Sequence, residues 1–241
     1  MAACGIHPYA FQHHAIAHSG LSSMLFTGVE VNPFRSLSDL WVSLGGLLDE
    51  KRNEQKYIYL YWSDLDDHSH RFGPQDERVS LELEVFSVQL AHFIRQQKLR
   101  ARNDTLLLIT ADHGHISTPR NLNYELRSHP ELQRCLAMSP SGEARLPLVF
   151  LRSGYEAQFL EYVEKAWPGQ FRAIPSTQAI ACGLFGPGSM YERLPERAGD
   201  YIIVPQDSAY WWFGSRDNPL LGRHGGLTRT EMLVPFFSML L

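Results

Sequence analysis

Aspartate and histidine recur in two short knots of this sequence. The first is Asp64-Leu65-Asp66-Asp67-His68-Ser69-His70-Arg71-Phe72-Gly73-Pro74, and the second is Ala111-Asp112-His113-Gly114-His115. Each follows an apolar run, Tyr57-Ile58-Tyr59-Leu60-Tyr61-Trp62 in one case and Leu106-Leu107-Leu108-Ile109-Thr110 in the other. A third group, Arg223-His224-Gly225-Gly226, puts one more imidazole in a loop where glycine lets the backbone approach a ligand closely. Carboxylate and imidazole are donors that a borderline divalent cation such as zinc accepts. Asp66 and His70 are four residues apart, but so are Asp64 and His68, and spacing alone does not choose between the pairs. Asp112 and His113 are adjacent and point differently, which suits service to two ions or a bridge between them; His115 competes with His113. Two divalent ions about 4 Å apart hold a phosphoryl oxygen between them and stabilise both the attacking and the leaving oxygen. Any one such pair is more often a solvated turn or a helix cap. Two knots after two strand-like runs argue for a shared site, because ligands of open α/β sheets bind beyond the carboxyl ends of the strands.

The elements that must carry these residues follow from periodicity. Residues 57–62 and 105–110 read as buried strands, and Asp64–Pro74 as an acidic loop. Glu77 to Leu99 is the clearest helix, with Val79, Leu83, Phe86, Leu90, Phe93 and Ile94 on one face and basic residues at its end. The resulting strand–loop–helix–strand unit predicts parallel pairing with a right-handed crossover. Ser36-Leu37-Ser38-Asp39 is a helix start with Ser36 as N-cap, leading through Leu40, Trp41, Leu44, Leu47 and Leu48. Residues 1–35 read as irregular, with a short helix over Phe11–Leu21 closed by Gly20. His13, His14 and His18 in it are a weaker ligand cluster, better explained as a solvated face or a pocket wall. Residues 115–144 are loop-rich. Leu146–Leu151 and Asp200–Pro205 read as strands, Tyr155–Ala166 and Ser176–Leu184 as helices, and Glu231–Met239 as a final strand. Trp211-Trp212-Phe213-Gly214 packs in the core or stacks on a planar group of a substrate. The expected organisation is one domain over 1–241, with no internal repeat.

Bulk composition sets limits. The chain has 241 residues, 44% apolar and 20% charged, so it can bury a core. A net charge of −4 with mixed signs gives no footprint for a nucleic-acid polymer. Phosphate chemistry stays open, because a bound cation supplies local positive charge. Cys4, Cys135 and Cys182 are few and widely spaced, which argues against a disulfide framework or a cysteine zinc site. No apolar run reaches the ~18 residues of a membrane span. The start, Met1 to Pro8, lacks the basic and apolar regions of a signal peptide, which favours a cytoplasmic location unless the N-terminus is truncated.

Taken together, Asp66-(three residues)-His70-Arg71-Phe72-Gly73-Pro74, Thr110-Ala111-Asp112-His113-Gly114 and His224-Gly225-Gly226 resemble the alkaline phosphatase superfamily, and most closely its type I phosphodiesterase/nucleotide pyrophosphatase family. The stretch from Ala17-His18-Ser19-Gly20-Leu21 to Ser36-Leu37-Ser38-Asp39-Leu40 is similar to the same family, so the resemblance covers nearly the whole chain. It implies an α/β fold with a mostly parallel sheet flanked by helices, and two zinc ions at the carboxyl edge of that sheet, with manganese as an alternative. It implies that Asp66, His70 and His224 hold one ion and that Asp112 and His113 form part of the shell of the other. The Gly73-Pro74 step after His70 favours Asp66 over Asp64 within that resemblance. The implied substrate is a small phosphate ester.

The family pattern also contains a strand-end Asp and a Thr or Ser nucleophile ahead of these motifs. Before Asp66 the sequence has one threonine, Thr27, without an apolar strand ending in Asp-Gly before it, and Ser19, Ser22 and Ser23 are no better placed. No nucleophile is assigned. The expectation is therefore the C-terminal portion of a phosphoric ester hydrolase, lacking its N-terminal strands, with an exposed sheet edge that promotes self-association. The alternatives are a zinc-binding chain without turnover, or a sulfatase or phosphoglycerate-mutase type of the same superfamily.

Overall fold

A computed structural model describes residues 4–100 and 104–241; the Met1–Ala3 start of the segment read for a leader lies outside them. The chain divides into two units. The first comprises Met1–His68, Glu77–Ile109 and Phe237–Leu241, and the second Ser69–Asp76 and Thr110–Phe236.

The first unit is built on β1 (His7–His13), whose Tyr9, Ala10, Phe11 and Gln12 are all buried. Helix α1 (Gly20–Leu25) follows, capped by Ser19, and leads to β2 (Glu30–Phe34). Helix α2 (Leu37–Glu50) then leads to β3 (Lys56–Leu60). The sheet order is β2-β1-β3, parallel throughout, with Tyr9 opposite both Glu30 and Ile58. Residues 7–34 are therefore not irregular, and Phe11–His13 belongs to a strand rather than a helix. Gly20 opens a helix instead of closing one. The apolar core of β1 is only Tyr9-Ala10-Phe11 between histidines, too short for a periodic signal, and Pro33 inside β2 reads as a strand breaker although parallel edge strands tolerate it.

Ser36 caps α2 as its sequence implies: its side chain accepts from the Asp39 N–H, and Asp39 reaches back to the Arg35 N–H. Helix α3 (Asp64–Phe72) begins in the first unit and ends in the second. Helix α4 (Glu77–Leu99) has the extent that its apolar period predicts. Leu40, Trp41, Leu44 and Leu48 of α2 and Phe93 of α4 bury against Tyr9 and Phe11, with Phe86, Leu90, Ile94 and Leu107 partly buried at the edge of the same cluster.

Two of the strands depart from their expected setting. Among the described residues the strand β4 (Leu106–Thr110) does not pair with β3; it pairs there with the C-terminal strand, so the α4 crossover does not close a parallel pair between β3 and β4. Nor are β3 and β4 fully buried. Tyr57 and Tyr59 are 50% and 39% exposed, and Leu106 and Leu108 63% and 53%, because only one face of each strand meets the helical layer.

The second unit continues with β5 (Ile116–Ser117), α5 (Pro130–Cys135), β6 (Ser141–Glu143) and β7 (Leu146–Val149). Then come α6 (Glu156–Ala166), β8 (Phe171–Pro175), α7 (Ser176–Ala181), α8 (Leu194–Ala198) and β9 (Tyr201–Pro205). The segment ends with β10 (Gly222–Arg223) and α9 (Arg229–Met232), and β11 (Phe236–Leu240) is the strand that pairs with β4. Glu231 thus lies in a short helix, not in the final strand expected from residue 231 onward. Strands β6-β7-β9-β8 form an antiparallel sheet. Its core gathers Val149, Phe159, Val163, Trp167, Phe171, Ile203 and Trp211. The three cysteines are free. Among the described residues, no helix is long and apolar enough to cross a membrane.

Candidate metal centre

The Asp64–Phe72 segment is a helix rather than a loop, and this gives the four-residue spacing its meaning. Residues i and i+4 lie on one helical face, so Asp66 and His70 point the same way. The helix has no apolar stripe, but its acids crowd the first turn and His70 and Arg71 the last, which suits the helix dipole. Gly73, at φ +93°, turns the chain out of the helix, as a left-handed terminator does.

Two further histidines are set by a short antiparallel bridge. β5 and β10 pair Ile116 with Arg223 and Ser117 with Gly222. His115 precedes β5 and His224 follows β10, so the bridge brings these two imidazoles to the same end. The end of α3 is tied to β10 from both sides. The Leu221 N–H donates to the His70 carbonyl at 2.8 Å, and the His70 ring Nδ1 meets the Gly222 carbonyl at 2.9 Å. With Nδ1–H donating to that carbonyl, Nε2 of His70 is the ring nitrogen that carries the lone pair, the tautomer a metal-binding imidazole needs. Gly222 is needed for this approach, since a Cβ there would stand 2.2 Å from the Ser69 carbonyl oxygen.

The outcome is a group of four: Asp66, His70, His115 and His224 each offer one ligand atom, all within 4.8 Å of one another, and all four are partly buried. His70 and His115 have ring centroids 4.7 Å apart, and His115 and His224 5.1 Å. His113 stacks flat on His224, with centroids 3.5 Å apart and planes 9° apart. Asp112 lies at the solvent side of this group. Its carboxylate accepts from the His113 N–H at 3.2 Å, and Oδ2 is 3.5 Å from His113 Nε2. The structure therefore places Asp66, His70 and His224 together with His115, and sets Asp112 and His113 side by side. Thr27 spends its hydroxyl on the Ser23 and Met24 carbonyls, and Ser19 spends its own on the cap of α1.

Both histidine loops rest on one buried ion pair that sequence reading did not find. Arg145 and Glu231 have no side-chain exposure. Arg145 donates through Nε and Nη2 to the two carboxylate oxygens of Glu231, at 2.9 and 2.8 Å. Glu231 also accepts from the Gly226 N–H at 2.9 Å and the Thr228 hydroxyl at 2.6 Å. Its backbone carbonyl accepts from the Gly114 N–H at 2.8 Å. Burial alone would raise the Glu231 pKa, but the bonds from Arg145, Thr228 and Gly226 outweigh it and hold the carboxyl below its ordinary value. The loop after His113 and the loop after His224 are thus bonded to the same residue. The sequence signal was Thr228-x-x-Glu231, a capping-box pattern in front of a short helix.

The type I phosphodiesterase/nucleotide pyrophosphatase family model matches residues 18–227, and the chain belongs to that family. No curated protein matches the sequence. Among solved structures, an inactive variant of murine ectonucleotide pyrophosphatase/phosphodiesterase 5 in complex with AMP superposes with a TM-score of 0.67 at 17% identity, over 98% of this chain and 61% of that one. The human counterpart gives 0.65 at 17% identity, over 98% of this chain and 61% of that one. Phosphonoacetate hydrolase from Sinorhizobium meliloti 1021, in complex with phosphonoacetate, gives 0.66 at 15% identity, over 98% and 66%. These likenesses show an alkaline-phosphatase-like α/β fold, as the motifs implied. The chain spans about three fifths of the length of the phosphodiesterase 5 structures, 61%.

Proposed function

We propose that this chain carries the metal-binding part of a phosphoric ester hydrolase, with both units belonging to one alkaline-phosphatase-like catalytic domain. The observation that carries the reading is the convergence of Asp66, His70, His115 and His224 within 4.8 Å. One carboxylate and three imidazoles are a donor set suited to zinc, with manganese as the harder alternative. Asp66, His70 and His224 hold this ion, and Asp112 and His113 contribute to a second. Bound there, divalent ions supply Lewis-acid stabilisation of charge on a phosphoryl oxygen. The chain's own contribution is orientation: the Gly222 carbonyl fixes the tautomer of His70, and Glu231 anchors the two loops that present His113 and His224. The substrate class is a small phosphate ester, in line with the family and with AMP in one structural neighbour. The nucleophile is not among the residues assigned here.

A second reading has its own support. With His115 as a fourth protein ligand a zinc ion would have four protein donors, and structural zinc sites are those in which protein supplies all four. The chain then binds zinc without turnover. Zinc titration of the stripped protein, with ions counted, separates the two when combined with assays on bis(p-nitrophenyl) phosphate and p-nitrophenyl phosphate. Two ions with turnover support the hydrolase. One tight ion without turnover, weakened in both His224→Ala and His115→Ala, supports the closed site. Failure to bind zinc at all removes both.

A further inference from the structure

A cavity of about 210 Å³ opens beside the imidazole cluster within the second unit, with His70 and His224 in its wall. Trp211, Trp212 and Phe213 supply aromatic surface, and Arg223 completes the wall next to His224. A cavity of roughly 150 Å³ is enough for a benzene ring, so this one accommodates a single ring or a short chain with a substituent.

Its polarity is unusual. Arg223 is 2% exposed and stacks over the Tyr210 ring at 3.7 Å. Nη1 donates to Thr118 Oγ1 at 2.6 Å and more weakly to the Thr118 and Leu220 carbonyls, and Nη2 donates to Asn218 Oδ1. Every one of these acceptors is neutral. Among the described residues no carboxylate pairs with Arg223, and its Nε–H has no acceptor. Trp211 is fully buried, and among the described residues its Nε1–H also has no acceptor, whereas Trp212 donates its own to the Arg216 carbonyl. Buried donors are rarely left unpaired in folded proteins. Two of them, one on a cation, belong to residues lining the same cavity. Glu143, the one acid in the wall, is a solvent-exposed residue.

We infer that this cavity is the subsite for the organic group of the ester, and that it selects a compact group bearing a carboxylate, which takes the Arg223 Nε–H and the Trp211 Nε1–H as donors. The inference rests on the reading of the imidazole cluster as the place where the phosphoryl group is held. It names the group on the other side of the ester: small, planar or short, and anionic. A nucleobase offers amide-like acceptors but no negative charge, and a cationic group would meet Arg223.

The test is isothermal titration of the full chain in the presence of zinc with three probes of one shape: benzoate, benzyl alcohol and benzylammonium. Benzoate is expected to bind at least tenfold more tightly than either of the others. In Trp211→Phe, benzoate is expected to weaken about tenfold while benzyl alcohol changes less than twofold. Benzylammonium binding as well as benzoate, or no binding of benzoate, overturns the inference from the unaltered protein alone. Benzoate affinity unchanged in Trp211→Phe also overturns it, because the carboxylate is then held elsewhere, such as on zinc. Benzoate selectivity in a protein that hydrolyses no ester sinks the hydrolase reading and leaves the anion-selective cavity standing; turnover without benzoate selectivity does the reverse.

Discussion

Arg145 and Glu231 meet through two parallel hydrogen bonds, both side chains fully shielded from solvent, and Glu231 passes that anchorage on to Gly114 and Gly226. A pair of this kind is costly to break from one side, because the remaining charge stays buried without its partner. Glu231→Ala is expected to destabilise the protein by about 3–5 kcal/mol, measured by urea unfolding. A loss no larger than that of an exposed glutamate would show that the pair carries no such role.

The same carboxylate makes an acid-stability prediction. Its folded pKa lies below the ordinary value, so the unfolded chain takes up the proton first. The stabilisation is complete above the unfolded value of about 4.3 and disappears as pH falls through the lower folded value. The stability gap between the parent protein and Glu231→Gln should therefore be widest near neutral pH and narrow below about pH 4. Urea midpoints across that range check it; a gap independent of pH would contradict it.

Gly222 sets the distance between the end of α3 and β10. A methyl group there would meet the Ser69 carbonyl at 2.2 Å and Pro74 Cδ at 3.0 Å, so the two segments must separate. The bond from His70 Nδ1 to the Gly222 carbonyl is then stretched. Loss of an outer partner of a metal-binding histidine costs about 10–100-fold in affinity. Zinc competition with a chromophoric chelator should show a drop of that size in Gly222→Ala; an unchanged affinity would separate Gly222 from the site.

Strands β3 and β4 each carry one strand partner among the described residues, and they expose Tyr57, Tyr59, Leu106 and Leu108. Open edges with apolar faces associate. Light scattering over a concentration series is expected to show self-association, and Leu106→Lys with Leu108→Glu should reduce it. A monodisperse monomer in the parent protein would rule this out.

Legibility in the sequence followed the range of the interactions. Helix α4 and the Ser36 cap of α2 were readable because their signals are local: a sustained apolar period in one, a serine and an aspartate three apart in the other. Helix α3 was missed because a segment of Asp, His and Ser has no apolar stripe, although the four-residue repeats of Asp and His were its helical period in plain view. The capping box at Thr228 was obscured by the apolar run Met232-Leu233-Val234 beside it. The pairing of β4 with β11, and the bonds from Arg145 to Glu231, join residues far apart in the chain, and no short-range pattern encodes them. His115 was visible only as a competitor of His113; the β5–β10 bridge is what puts it beside His224.

That bridge also fixes when the site can exist. Synthesis is vectorial, and segments fold as they emerge. Asp66, His70 and His115 are made early in this chain, but the strand that aligns His115 with His224 and the glycine that orients His70 are both in β10, and Glu231 comes later still. The four donors are therefore strangers to one another until β10 has been made. Capture of a cation by the complete group waits for β10, and a nascent chain stalled before residue 222 presents Asp66, His70 and His115 without the strand that aligns His115 with His224.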